Sequence, residues 1–170
     1  MPLTDHIRDV PDFPKLGILF KDITPLLANP AAFGESITQL AARYTGVKID
    51  AIAAAEARGF LFAAPLALRM NLPLVPLRKP GKLPHKIVSA KYDLEYGSAE
   101  LQMHEDAVVR GHRVLLLDDV LATGGTMRAG CSLIESVGGV VVGCAFVIEL
   151  SFLNGRELLA GYDVFSLITY

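Results

Sequence analysis

Cysteine, net charge and long apolar runs are all scarce in this 170-residue sequence, and each scarcity removes a class of protein. Cys131 and Cys144, the two cysteines, sit in helix-like and strand-like apolar surroundings and read as inert core thiols of a reducing compartment, not as a disulfide framework. The four histidines, His6, His85, His104 and His112, lack the spacing of zinc ligands. A formal charge of −2, from 16 basic and 18 acidic side chains, provides no basic field for nucleic acid. A membrane span needs about 18 uninterrupted apolar residues. AIAAAEARGFLFAAPLALRM is broken by Glu56 and Arg58, and VVVGCAFVIEL is too short. The opening MPLTDHIRDVPDFPK has no cationic start followed by an apolar stretch, so it does not read as a secretory signal. The expectation is one cytoplasmic domain with no nucleic-acid or membrane partner.

What the sequence does contain is apolar periodicity. Hydrophobic residues make up 52% of the chain, which favours a sheet buried on both faces or a sticky subunit surface. From Ala31 to Tyr44 the apolar positions Phe33, Ile37, Leu40, Ala41 and Tyr44 follow a helical period, with Gly46 placed to cap the end. IDAIAAA (49–55) reads as a buried strand, GFLFAAPLALRM (59–70) as a helix disturbed by Pro65, and LPLVPL (72–77) as the next strand. RVLLLDDV (113–120) reads as a further strand, followed by a glycine turn, a helix over roughly 126–137 and the strand VVVGCAFVIEL. Such alternation predicts an α/β fold with a mainly parallel sheet, and ligands at the carboxyl ends of its strands. Two segments break the rhythm. The N-terminal thirty residues read as a cap, and residues 78–104 as a loop leading into a hairpin around Gly97, with Arg78, Lys79, Lys82, Lys86 and Lys91 on the loop.

The strongest local signal is DDVLATGGT (118–126). Adjacent Gly124 and Gly125 let successive backbone N–H groups face one concavity, Thr123 and Thr126 add hydroxyls, and the following helix adds its positive end. The turn lacks the lysine of a nucleoside-triphosphate loop and the spacing of a dinucleotide loop, so one monophosphate is its natural ligand. Asp118 and Asp119 suit the vicinal hydroxyls of a sugar on that phosphate, and their charge suits a cation developing at the anomeric carbon.

DDVLATGGT after VLLL resembles the phosphoribosyl pyrophosphate fingerprint of the type I phosphoribosyltransferases. FKDITPLL, EARGF, RKPGKLP, YDLEYG and VIELSFLNGRELL, in that order, extend the resemblance to the adenine-specific members from about Phe13 to Tyr170. The resemblance implies a twisted, mainly parallel sheet flanked by helices in a single domain, with an N-terminal hood (1–33), a flexible lid hairpin (78–104) and a homodimeric assembly. It implies transfer of 5-phosphoribosyl from phosphoribosyl pyrophosphate to N9 of adenine, giving AMP and pyrophosphate, with Mg2+ carried by the substrate and no direct protein ligand.

By the same resemblance Ala122, Thr123, Gly124, Gly125 and Thr126 hold the 5-phosphate, and Asp118 and Asp119 the ribose hydroxyls. Arg58 takes the pyrophosphate beside a non-proline cis peptide bond. Arg78, Lys79 and Lys82 join it, in this site or in the neighbouring subunit's. Glu95 is the acid/base carboxylate for the purine, and Tyr96 shapes the closed lid. Phe20 stacks on adenine while the backbone of Leu19 and Lys21 bonds its edge. Enzymes for 6-oxopurines carry an aspartate where this chain has Ala122, which favours adenine; transfer to xanthine or orotate is the competing enzymatic reading. Two positions depart from the family: Ala54 stands where glycine is frequent, and His85 replaces a small lid residue. Regulators of this fold that bind the donor without turnover carry an added DNA-binding domain or a basic face, and this chain shows neither.

Overall fold

The protein is described by a computed structural model covering residues 2–94 and 97–170. It divides into two compact units, one up to Arg43 and one from Tyr44 onward. In the first, a 3-10 turn (Leu3–His6) leads into strand β1 (Arg8–Pro11), which pairs antiparallel with β2 (Leu19–Asp22), followed by helices α1 (Thr24–Ala28) and α2 (Pro30–Arg43). Ion pairs Arg8–Asp22 (3.3 Å) and Lys21–Asp9 (2.6 Å) cross the hairpin. Asn29 stands just before α2 and its Oδ1 accepts the Ala32 N–H at 3.0 Å, a helix cap that sets where α2 begins. The predicted helix over 31–44 is therefore present one residue earlier at each end.

The second unit holds a five-stranded, wholly parallel sheet made of β3 (Ala51–Ala55), β4 (Leu74–Leu77), β7 (Arg113–Leu121), β8 (Val140–Glu149) and β9 (Val164–Thr169). Spatially the order is β4-β3-β7-β8-β9. Helices α3 (Arg58–Met70) and α4 (Gly125–Ser136) connect β3 to β4 and β7 to β8. The hairpin of β5 (Ile87–Leu94) and β6 (Gly97–His104) forms a separate antiparallel pair. Period-two alternation sorts the sheet's side chains. Ala53, Ala55, Leu77, Leu116 and Phe146 pack in one core with Cys131 and Leu133 of α4 and with Leu101 and Met103 of β6. Ile52, Ala54, Leu115 and Leu117 point the other way and are also buried, as a parallel sheet covered on both faces requires.

Three local outcomes qualify the sequence reading. Pro65 lies inside α3, yet the helix runs on to Met70. Pro76 is tolerated in β4 because β4 is an edge strand with a partner on one side only. Strand β9 has no counterpart among the predicted elements: it follows two 3-10 turns (Ser151–Leu153 and Gly155–Glu157) rather than a helix, and most of its positions are only half-buried. Among the described residues no helix is long and apolar enough to cross a membrane.

Candidate active site

The chain runs from β3 outward to β4, then returns to place β7 on the other side of β3. That reversal makes the carboxyl ends of β3 and β7 a topological switch point, where a parallel sheet opens a crevice. Glu56, Ala57 and Arg58 follow β3; Asp118 and Asp119 lie near the carboxyl end of β7, which continues to Leu121. A cleft of about 360 Å3 opens there, lined by Glu56, Arg58, Lys79, Tyr92, Asp118, Asp119 and Thr126 among others.

The turn after β7 explains its glycines by geometry. Gly124 has φ +91°, a left-handed conformation that side chains strain to adopt, and a Cβ there would stand 2.6 Å from the Gly155 carbonyl oxygen. A Cβ at Gly125 would meet the Tyr92 ring at 3.2 Å. Helix α4 starts at Gly125. The N–H groups of a first helical turn have no partner within the helix, so they remain donors for an anion. Thr126 Oγ1 donates to the Tyr92 hydroxyl at 3.4 Å.

The charged side chains are paired in a way that the sequence does not display. Arg58 Nε donates to Asp119 Oδ2 at 2.5 Å, a half-exposed guanidinium on a carboxylate that is 5% exposed. Glu56 gathers three partners: the Lys82 ammonium, the Lys79 backbone N–H at 2.7 Å and Arg78 Nε at 3.4 Å. Burial pushes the Glu56 carboxyl up, but the hydrogen bonds from Lys82 and Lys79 and the charges of Lys82 and Arg78 outweigh it and hold it below its ordinary value. Asp118 is different. Burial and the adjacent Asp119 charge hold its carboxyl well above the ordinary aspartate range, although it accepts the Asp119 N–H at 2.8 Å. The peptide bond between Glu56 and Ala57 is cis.

Of the residues singled out from sequence, Arg58, Lys79, Asp118, Asp119 and Thr126 meet in this cleft, with Arg78 and Lys82 held at its margin through Glu56. Ala122, Thr123, Gly124 and Gly125 form the turn from β7 into α4. Leu19, Phe20 and Lys21 lie on β2 of the first unit, where Phe20 meets Phe13 edge-on with ring centres 5.1 Å apart. Glu95 and Tyr96 lie outside the described residues. Ala54 is buried inside β3, and the His85 N–H donates to His104 Nε2 at 3.2 Å. Cys131 and Cys144 are buried thiols, their sulfurs 3.6 Å apart. Sequence reasoning missed Glu56 as an anchor for cations and Tyr92 as a neighbour of the turn, although EARGF and YDLEYG contain them. It also left Gly155, which backs the turn, without a role.

Residues 23–164 match the family described as the phosphoribosyl transferase domain. The adenine phosphoribosyltransferase of Maridesulfovibrio salexigens is 58% identical over 168 residues, 99% of either chain. The crystal structure of adenine phosphoribosyltransferase from Thermoanaerobacter pseudethanolicus superposes with a TM-score of 0.96 at 55% identity, covering 99% of this chain and 98% of that one. The enzyme of Trypanosoma brucei, solved in complex with AMP, pyrophosphate and ribose-5-phosphate, gives a TM-score of 0.90 at 27% identity over 98% of this chain and 78% of its own.

Proposed function

This chain belongs to the adenine phosphoribosyltransferases, a branch of the phosphoribosyl transferase family, and we propose from the cleft which side chains carry its chemistry. The reaction is transfer of 5-phosphoribosyl from phosphoribosyl pyrophosphate to adenine, which forms AMP and releases pyrophosphate. At the anomeric carbon the bond to pyrophosphate oxygen breaks and the bond to N9 forms, while N9 gives up its proton. The single observation that carries the assignment of roles is the meeting of Asp118, Asp119 and Arg58 with Thr126, the last residue of the turn after β7, in one cleft at the switch point.

The 5-phosphate is assigned to the turn, where the first N–H groups of α4 and the threonine hydroxyls donate to it. Asp118 and Asp119 accept from the ribose hydroxyls, and their charge offsets the cation that builds at the anomeric carbon. Arg58, Arg78, Lys79 and Lys82 are assigned to the pyrophosphate. Asp119 holds Arg58, and Glu56 holds Arg78, Lys82 and the Lys79 backbone N–H, so pyrophosphate oxygens would compete with internal carboxylates for these donors. Leu19, Phe20 and Lys21 are assigned to adenine and Glu95 to its proton, a general acid/base contribution of about 10²- to 10⁴-fold. Tyr96 and the hairpin serve as the lid that excludes water, which competes with adenine for the activated sugar.

Among the described residues no three His, Cys, Asp or Glu side chains gather to hold a metal ion. Mg2+ keeps several waters and binds through few carboxylates and substrate phosphates. We propose that the substrate carries Mg2+ through its phosphate oxygens, where it would neutralise charge on the leaving pyrophosphate. A homodimer is part of the same proposal, supported by Leu61 and Leu68, which are 43% and 85% exposed on α3. So is a cytoplasmic setting, which keeps Cys131 and Cys144 as thiols.

The test is turnover with Mg2+, phosphoribosyl pyrophosphate and, separately, adenine, hypoxanthine, guanine, xanthine and orotate. Adenine is expected to give AMP and stoichiometric pyrophosphate, and the other bases little. Donor binding without product from any base would identify a regulator instead.

A further inference from the structure

The motif VIELSFLNGRELL takes no part in the chemistry above, yet it contains a buried carboxylate that is fully engaged. Glu149 closes β8 and is 4% exposed. Arg156 Nε donates to its Oε1 at 2.7 Å, Arg156 Nη2 to its Oε2 at 2.9 Å, and Ser166 Oγ to the same Oε2 at 2.7 Å. Arg156 Nη1 also reaches the Val164 carbonyl at 3.3 Å, so one guanidinium ties the end of β8 to the start of β9. A buried ion pair is often no better for stability than an apolar pair of the same volume. What a two-pronged arginine–carboxylate fork adds is a fixed orientation.

That orientation bears on the turn after β7. Gly155 immediately precedes Arg156, and a Cβ at Gly155 would stand 2.5 Å from the Ala122 carbonyl oxygen and 2.8 Å from Leu121 Cδ1. The converse also holds, since a Cβ at Gly124 would stand 2.6 Å from the Gly155 oxygen. Two glycine backbones thus pack together with no room for a methyl group on either. Alongside them the Leu150 N–H donates to the Leu121 carbonyl at 2.9 Å, and Leu121 is the register partner of Glu149. The turn over 122–126 rests on the segment 151–157, and the fork pins that segment.

We propose that Glu149 and Arg156 are positioning residues for the phosphoribosyl half of the reaction: their fork holds Gly155 against Ala122 and Gly124 and so sets the backbone that grips the 5-phosphate. Neither side chain touches substrate. The proposal rests on the assignment of that turn to the 5-phosphate.

Calorimetric binding of ribose 5-phosphate and steady-state kinetics on the full chain test it. The proteins are wild type, Arg156→Lys, Glu149→Gln, the double variant of these two, and a Thr123→Ala/Thr126→Ala control. Arg156→Lys and Glu149→Gln are expected to weaken ribose 5-phosphate binding about tenfold or more, because small misplacements of a binding group have large effects. KM for phosphoribosyl pyrophosphate should rise in step, KM for adenine should change by less than about twofold, and the double variant should be no worse than the worse single. A pair that only stabilises the fold would lower Tm and leave the ratio of the two KM values unchanged. That result, equal losses toward both substrates, or additive single effects would overturn the proposal. The Arg156 side chain is 54% exposed, so Arg156→Lys supplies a readable variant should Glu149→Gln fail to fold. If the threonine control binds ribose 5-phosphate like wild type, the turn assignment falls and the fork proposal falls with it. If the control loses binding while Arg156→Lys keeps it, the turn assignment stands and the fork proposal alone fails.

Discussion

Arg58 Nε and Asp119 Oδ2 stand 2.5 Å apart, joining the residue that opens α3 to the carboxyl end of β7 across the crevice. The two ends of this pair are not equivalent, because Asp119 is buried and Arg58 is half exposed. Removing Arg58 takes the cation from a buried carboxylate, whereas removing the Asp119 charge leaves a guanidinium that water already reaches.

Arg58→Met should therefore destabilise the unliganded protein by about 1–2 kcal/mol, the figure for a breached buried pair reduced for solvent screening at Arg58. Asp119→Asn should cost less stability, yet lower kcat by about 10²- to 10³-fold through loss of charge facing the developing cation. Urea titration and turnover on both variants check the contrast. Equal stability losses would mean that the pair is not arranged as described.

Asp118→Asn should make the unliganded protein more stable while reducing turnover. The Asp118 carboxyl titrates well above the ordinary aspartate value in the folded state, so the folded state binds the extra proton. Stability then falls as pH rises from the ordinary aspartate value through the raised one. Asparagine is free of that loss, so the Tm difference between variant and wild type should be near zero at pH 4 and grow toward neutrality. A Tm below wild type at neutral pH would contradict it.

Acid should weaken the fold through Glu149 in the opposite sense. The hydrogen bonds from Arg156 hold its carboxyl below the ordinary 4.5 against the effect of burial, with Ser166 and the Arg156 charge assisting. A depressed carboxyl contributes its stability above the unfolded value and loses it as pH falls through the folded one. Melting curves from pH 7 down to pH 3 should show Glu149→Gln with a shallower loss below about pH 4.5 than wild type. Parallel curves would show that Glu149 is not ionised in the folded state.

Gly124→Ala meets two obstacles, a left-handed φ that costs about 1–2 kcal/mol and the Gly155 oxygen at 2.6 Å. The turn must shift, so KM for phosphoribosyl pyrophosphate should rise about tenfold or more, ahead of any change in KM for adenine. A variant with unchanged donor KM would place the 5-phosphate elsewhere.

How much of this was readable beforehand depended on how far apart in sequence the interacting groups lie. The apolar run 114–117, the acidic pair and the glycine turn are consecutive, so strand β7, the turn and α4 announce themselves within twenty residues or so. Glu56 meets Lys79 and Lys82 at separations of 23 and 26 residues, and Arg58 meets Asp119 at 61, distances over which no spacing rule operates. Gly155 looks like an ordinary loop glycine until the fold presses it against Ala122. Strand β9 escaped because its apolar pattern is diluted at a half-buried edge and no helix introduces it. The resemblance to relatives, rather than periodicity, pointed to β2 and the lid as sources of substrate-binding side chains.

The most direct measurement is a crystal structure of this protein with AMP bound. The 5-phosphate should lie against Thr123–Thr126 within hydrogen-bond distance of the first N–H groups of α4, with the ribose hydroxyls on Asp118 and Asp119. A nucleotide whose phosphate binds anywhere else, with the turn empty, would contradict the assignment from which every role above follows.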